Sequence, residues 1–375
     1  MNGQDYLGLP SQETRVFSFP ASQSLHASGA SAAAKISTGL AQLNKALTPP
    51  CPEPVPGCTA SNSAKGLPSG HVAEIFGPPG VGKTSLALSV ASNVLRDGEK
   101  VVWIDAGSPL PRIRLREMLS GAKEGPPSKS PEELMHNFVY FRARSLPHLL
   151  ALLNHPPVGF PPKDTKLLVI DAVSEPFPAY FPNPTELRTR LAEAKVTDNA
   201  QIQWLMNRKW NVTSELANHL VKLATTHRLV ALVVDQTHTR IKGQPRPMLC
   251  PVLAGGTWEN SVYTRIVVYR DFPAGDGEDV AGRVRFAEVM KRGGKALSVR
   301  VEENIVPFVV ETDGLREVEQ NAPSHEAVQV QESAGAFSTS QRKRKVDEVA
   351  DSQDEDSDEE FGWAEGDDPG LLGKD

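Results

Sequence analysis

Gly77-Pro78-Pro79-Gly80-Val81-Gly82-Lys83-Thr84 follows the stretch Val72-Ala73-Glu74-Ile75-Phe76 and leads into Ser85-Leu86-Ala87-Leu88-Ser89-Val90-Ala91. The middle stretch has the form G-x-x-x-x-G-K-[ST]. The residues before it read as a buried strand, and those after it as the start of a helix. A glycine-rich turn between strand and helix points its backbone N–H groups at one spot, and the helix dipole adds positive potential there. Such a turn binds a polyphosphate. Gly77, Pro78, Pro79, Gly80, Val81, Gly82 and Ser85 form the cradle, Lys83 reaches the outer phosphates, and the Thr84 hydroxyl holds Mg²⁺.

Outward from this turn, strand and helix signals alternate. Residues 101–104 read as a strand ending at Asp105, 112–119 as a helix, 138–141 as a strand, and 146–153 as a helix. A buried strand at 167–170 ends in Asp171, and a continuous apolar strand at 229–234 leads to Asp235-Gln236. Helices are expected near 186–194 and 212–226. Short continuous apolar strands separated by helices predict an α/β fold: a mostly parallel sheet covered on both faces. Strands near 265–270, 283–290 and 297–301 have no helices between them and predict an antiparallel extension, after which the pattern fades beyond Gly314.

Phosphoryl chemistry also needs a metal and a positioned water. Asp171, at its strand end, is placed to order Mg²⁺ together with Thr84. Gln236, at another strand end, either senses the terminal phosphate and passes its state to the next loop, or caps a turn. That loop, 237–251, holds His238, Arg240, Lys242 and Arg246 with no acid. It suits a nucleic-acid backbone, with Arg240, Lys242 and Arg246 as the contacts; the alternative is a solvated surface loop. Gly255-Gly256-Thr257-Trp258 after it reads as a flexible turn carrying an aromatic. Arg188, Arg190, Lys195, Arg208 and Lys209 make the 174–210 segment a weaker candidate, diluted by Glu186, Glu193 and Asp198.

The chain has 375 residues, 39% of them hydrophobic, with 31 prolines, so part of it is expected to lie outside any packed core. Residues 1–35, the Pro- and Ser-rich insertion 48–65 and residues 318–375 are the expected unstructured parts, leaving 36–317 as the core. Net charge is −6, yet residues 347–375 hold 13 acids and one base. The body is therefore mildly basic and suits a polyanion partner. Cys51, Cys58 and Cys250 show no metal spacing and read as free thiols. No apolar run approaches membrane-spanning length, so a soluble, intracellular protein with no membrane contact is expected.

Taken in order, these residues resemble the RecA-type recombinases of eukaryotes and their paralogues. The likeness lies in Ile36-Ser37-Thr38-Gly39-Leu40, the approach 66–77 to the phosphate loop, Asn137-Phe138-Val139-Tyr140, strand 167–171, Gln236, Leu253-Ala254-Gly255-Gly256, Thr264-Arg265-Ile266 and 308–314. It implies a RecA-like P-loop NTPase core, ATP as the nucleotide, Lys83 and Gln236 as the catalytic residues with Gln236 at the switch glutamine, and homologous recombination. Departures from the family pattern narrow this. The carboxylate that follows the second core strand in that family is replaced by Gly107, after Ile104-Asp105-Ala106, so hydrolysis should be slow or absent. Ala172 stands where strand-exchange members carry Ser, only 35 residues precede the core, and F-x-x-A before it is missing. The resemblance therefore implies a divergent paralogue of the fungal mediator type. Such a protein binds single-stranded DNA, pairs with a second recombinase paralogue as a heterodimer, and helps a recombinase assemble filaments in double-strand break repair. The alternative is a DNA-dependent ATPase with strand-exchange activity.

Three further features point to partners. Lys291, Arg292 and Lys295 flank Gly293-Gly294 and either reach a neighbour's nucleotide or form an exposed hairpin. Arg342-Lys343-Arg344-Lys345 reads as a nuclear import signal, placing the protein in the nucleus. In the acidic tail, Ser352 and Ser357 read as kinase sites, and Phe361-Gly362-Trp363-Ala364 has the F-x-x-A spacing that would dock on a recombinase.

Overall fold

Side chains along the parallel strands alternate between two cores, the period of two that a pleated strand imposes. Ala73, Ile75, Val101, Trp103, Leu167, Val169, Leu232 and Val234 point to one. Val72, Val102, Ile104, Leu168, Ile170, Ala231 and Val233 point to the other. The computed structural model describes residues 34–48, 66–121, 129–182, 184–196, 198–240, 248–270, 283–297 and 301–318.

In chain order the elements are β1 (Lys35–Ile36), α1 (Ala41–Ala46), β2 (Leu67–Pro68), β3 (Val72–Phe76), α2 (Lys83–Arg96), β4 (Lys100–Asp105), α3 (Arg112–Ser120), α4 (Pro131–Met135) and β5 (Phe138–Arg142). Then come α5 (Leu146–Asn154), β6 (Thr165–Asp171), α6 (Pro184–Glu193), α7 (Asn199–His227), β7 (Val230–Asp235), β8 (Thr237–Arg240), β9 (Met248–Pro251) and α8 (Gly256–Ser261). The chain closes with β10 (Val262–Tyr269), β11 (Val284–Arg292), β12 (Lys295–Ala296), β13 (Ile305–Glu311) and β14 (Gly314–Glu317). The main sheet runs β14-β13-β11-β10-β3-β7-β6-β4-β5, with β12 paired to β11. From β10 to β5 every pairing is parallel; from β10 outward to β14 every pairing is antiparallel. The α/β class, the parallel core and the antiparallel extension are as the sequence pattern predicts. The core on one face joins α1, α2 and α3 to the sheet, and the core on the other joins α5, α7 and α8.

Local chemistry sets the helix ends. Ser130 and Glu133 form a reciprocal capping box at the start of α4, with Pro131 at its first position. The Asp198 side chain accepts from the Ala200 N–H to start α7, and Arg228, in the left-handed region at φ 50°, ends it.

The structure departs from the sequence reading at several points. The helix expected over 212–226 is the C-terminal half of the 29-residue α7. No Gly or Pro interrupts 199–227, so the helix continues N-terminally past the point where its apolar face ends. Of the strand expected at 297–301, residues 298–300 lie outside the described residues; β12 is Lys295–Ala296, Leu297 and Val301 lie outside any strand, and Glu302–Asn304 is a short 3₁₀ turn. The turn expected around Trp258 is instead α8, with the Trp258 side chain 1% exposed. The pattern that fades after Gly314 hides β14, an edge strand held by backbone pairing to β13. The basic run 342–345, Ser352, Ser357, 361–364, Cys51, Cys58, Lys242 and Arg246 lie outside the described residues. Among the described residues, no helix is long and apolar enough to cross a membrane.

Candidate nucleotide-binding site

The loop between β3 and α2 is shaped by its glycines. A Cβ on Gly77 would lie 2.0 Å from the Val268 carbonyl oxygen, so only glycine lets β10 approach there. Gly82 sits at φ 102°, in the left-handed region, and turns the chain into α2 at Lys83. The first N–H groups of α2 thus face the loop's concavity, with Pro79 and Gly80 exposed at its rim and Ser85 half-buried in the first turn.

Lys83 is 6% exposed and donates to the carbonyls of Gly77 at 2.6 Å and Pro78 at 2.9 Å, and to Gln236 Oε1 at 3.2 Å. Burial pushes its pKa down, while the charges of Asp171, Asp235 and Glu175 oppose that. Thr84 Oγ1 donates to Asp171 Oδ2 at 2.8 Å. Asp171 has its pKa pushed up to about 6, by burial first; the Thr84 hydrogen bond and Lys83 oppose this, and Asp105 and Glu175 add to it. A hydroxyl and a carboxylate side by side at the mouth of a phosphate loop are hard oxygen donors and fit Mg²⁺. Asp105, buried on the neighbouring β4, is held by Tyr140 Oη at 2.6 Å and the Gly107 N–H at 3.1 Å.

Gln236 lies between the phosphate loop and the basic segment. Its Nε2 donates to Glu175 Oε2 at 3.4 Å, and its backbone N–H donates to Ser174 Oγ at 3.0 Å and Asp235 Oδ1 at 2.7 Å. Asp235 Oδ2 accepts from the Leu253 N–H at 3.0 Å, so one buried carboxylate holds both roots of the segment. Its pKa is pushed up to about 7, by burial and then by the nearby Glu74 carboxylate. The segment's ends pair as a two-stranded hairpin, β8 with β9. The backbone of Arg240 lies in β8, while the contacts proposed for Lys242 and Arg246 fall outside the described residues.

Several residues here carry no motif signal. Arg270 Nη2 donates to the Gly80 carbonyl at 3.3 Å, and the Arg285 side chain packs by Gly82. Burial and the charges of Arg270, Arg114 and Arg283 hold the Arg285 pKa down, the signature of an unusually cationic flank to the loop. The pairing of β10 with β11 brings Arg270 beside Arg285, and Arg114 comes from α3. α7 exposes Trp204 (58%) and Trp210 (44%), and the Arg208 guanidinium lies 6.0 Å from the Trp204 ring and 5.9 Å from that of Phe181. Trp210 packs on Gly255, at the far root of the segment. The sequence signal for this surface was the basic 174–210 segment; the helix sets Arg208 one turn from Trp204.

Lys291 and Arg292 are occupied within the chain, against a reach into a neighbour. Lys291 donates to the Glu259 carbonyl at 2.5 Å, and Arg292 to the Ala46 carbonyl at 2.6 Å. The β11–β12 hairpin turns back on the sheet, and its charges fasten α8 and α1.

No protein-family model matches the chain. It is similar to the DNA repair protein rhp55 of Schizosaccharomyces pombe, 24% identical over 256 residues, covering 58% of this chain and 73% of that protein. It is also similar to the DNA repair protein RAD51 homolog 3 of Dictyostelium discoideum, 26% identical over 225 residues, covering 54% of this chain and 53% of that one. The corresponding protein of Cricetulus griseus is 24% identical over 289 residues, covering 69% of this chain and 66% of the relative. The chain thus spans between about half and three quarters of the length of these relatives.

Proposed function

We propose that this chain, similar to DNA repair proteins of three organisms, is a divergent paralogue of the RecA-type recombinases that acts in DNA repair and recombination. It binds Mg²⁺·ATP at residues 77–85 and helps a recombinase assemble filaments on single-stranded DNA. The nucleotide occupies the cradle Gly77 to Ser85, with Lys83 on its outer phosphates and Thr84 and Asp171 holding the metal. When bound, ATP supplies a terminal phosphate whose presence or absence changes the partner of Lys83. Gln236 loses or regains that ammonium, and the hairpin root at Asp235 passes the change to the basic segment.

The observation that carries this reading is the path of hydrogen bonds from Lys83 to the Gln236 side chain, and from the Gln236 backbone through the Asp235 carboxylate to Leu253 at the far root of 237–251. Single-stranded DNA is favoured over duplex by the exposed Trp204 and Trp210 with Arg208 among them, since bases stack on aromatics when unpaired. The protein acts on chromosomal DNA and so resides in the nucleus, partnered by a recombinase and a second paralogue.

The test is single-stranded DNA affinity with and without Mg²⁺·ATP, together with recombinase filament assembly, for the protein and for Lys83→Ala. ATP is expected to raise DNA affinity and filament assembly only where Lys83 is present. Equal behaviour of the two proteins, with nucleotide bound by the first, rules the reading out.

A further inference from the structure

The sequence offers no carboxylate after β4, where Gly107 stands, but the fold brings one to that place from β6. A Cβ on Gly107 would lie 3.4 Å from Glu175 Cγ and 3.5 Å from Glu175 Cβ. Gly107 is not among the residues with positive φ, so backbone conformation does not require glycine there. What the missing side chain leaves is room, and Glu175 takes it.

We propose that Glu175 is the catalytic carboxylate of an ATP hydrolysis at this site, positioning the attacking water in place of a residue at 107. The proposal rests on the reading of residues 77–85 as an ATP site. Three observations carry it. Glu175 Oε2 accepts from Gln236 Nε2, whose own Oε1 accepts from the Lys83 ammonium, so the carboxylate lies one side chain beyond the group that meets the outer phosphates. Its charge is felt by both Lys83 and Asp171, which places it within the same electrostatic site. It is also held on a firm turn. The Glu175 N–H donates to the Ala172 carbonyl at 3.2 Å, the Ser174 hydroxyl is tied to the Gln236 backbone, and Phe177, 1% exposed, anchors the next turn. Glu175 itself is exposed, as a carboxylate must be to hold a water and release its proton.

The water oxygen adds to the terminal phosphorus as its proton passes to the Glu175 carboxylate. The bond from that phosphorus to the bridging oxygen breaks, its electron pair leaving on ADP. Glu175 then gives the proton to solvent. Lys83 stabilises the charge spread over the transferring group, and Mg²⁺, which Thr84 and Asp171 would hold, would supply further positive charge there.

The experiment compares the full-length protein, Glu175→Gln, and Glu175→Gln with Gly107→Glu, in two measurements. One is single-turnover ATP hydrolysis. The other is the affinity for ADP with aluminium fluoride relative to ADP alone, a binding readout of transition-state complementarity. Glu175→Gln should lower hydrolysis by about 100-fold or more and abolish the preference for the fluoride complex, with ADP affinity unchanged. Adding Gly107→Glu, which supplies a carboxylate from β4 into the same space, should restore both. Wild-type hydrolysis and preference in Glu175→Gln overturn the proposal. So does a wild-type protein that binds ADP yet shows neither hydrolysis nor preference. If the wild-type protein binds no nucleotide, the ATP-site reading itself fails, and this is separable because binding is measured directly.

Discussion

The Lys83 ammonium donates to the side-chain oxygen of Gln236 at 3.2 Å, joining the phosphate loop after β3 to the root of the basic segment after β7. The two residues stand at the C-terminal ends of adjacent parallel strands, the edge where open α/β sheets bind ligands. On the proposed function, a phosphate that draws Lys83 away releases Gln236, and that exchange would couple nucleotide to DNA.

Gln236→Ala removes the coupling and leaves both sites. Nucleotide affinity should stay within about threefold, whereas the ATP-dependent gain in single-stranded DNA affinity, typically about 5- to 150-fold for a coupled pair of sites, should disappear. Fluorescence anisotropy of a labelled oligonucleotide, with and without Mg²⁺·ATP, reads this directly. A retained ATP response would place the coupling elsewhere.

Asp171→Asn keeps the shape of the metal site but removes its charge. The Mg²⁺ dependence of ATP binding should weaken by roughly 10- to 100-fold, the usual loss when a metal-site carboxylate or its supporting partner is altered. Calorimetric titration of ATP at several Mg²⁺ concentrations would show it. ATP binding without added metal should change little, because the Lys83 cradle is intact.

Asp235 gives stability a pH dependence of definite sign. Its pKa rises from 3.8 to about 7 on folding, through burial and the Glu74 carboxylate, so between those values the folded chain holds a proton that the unfolded chain has lost. The folded state binds more protons, and the stabilisation from this group falls as pH rises through that window. Relative to Asp235→Asn, the wild-type protein should lose up to about 1.4 kcal/mol per pH unit across it. Urea denaturation of both proteins from pH 5 to pH 7 gives the comparison, and a wild-type stability that rises with pH relative to Asp235→Asn contradicts the assignment.

Arg265 neutralises Glu74 in the middle of the sheet. Glu74 is fully buried and accepts from the Trp258 indole at 2.9 Å and from Arg265, which also meets Glu259 at 2.5 Å. Burial pushes the Glu74 pKa up, and Arg265 is the main opposing charge. Arg265→Ala leaves that carboxylate unpaired and should cost about 3–5 kcal/mol in chemical denaturation. Adding Glu74→Gln should recover part of the loss, because the buried charge is gone and the amide still accepts from Trp258.

Trp204 and Trp210 test the proposed DNA surface. Replacing both with alanine should lower single-stranded DNA affinity by about 1–3 kcal/mol for each stacked base lost, with less effect on duplex binding and none on ATP affinity. Equal losses for both DNA forms would mean the surface contributes through charge and not stacking.

The sequence by itself determined the local pieces. An apolar run, a glycine-rich turn and a helix start lie within residues 72–91, and their spacing alone specifies a strand, a tight turn and a helix that begins at Lys83 and Thr84. Strand ends at Asp171 and Gln236 were legible for the same reason: a continuous apolar run that stops at a polar residue marks where a buried strand meets solvent. The N-terminal half of α7 was not legible, since its apolar residues follow no stripe. Trp258 gave no burial signal either, because two glycines precede it and its indole partner, Glu74, is 184 positions away. Tertiary structure alone decided that a glutamate from the turn after β6 fills the space over Gly107, and that Arg270 and Arg285 flank the phosphate loop. Those pairings depend on strand order, which is set by how the whole sheet buries its two faces. No spacing along the chain encodes the distance between side chains carried on different strands.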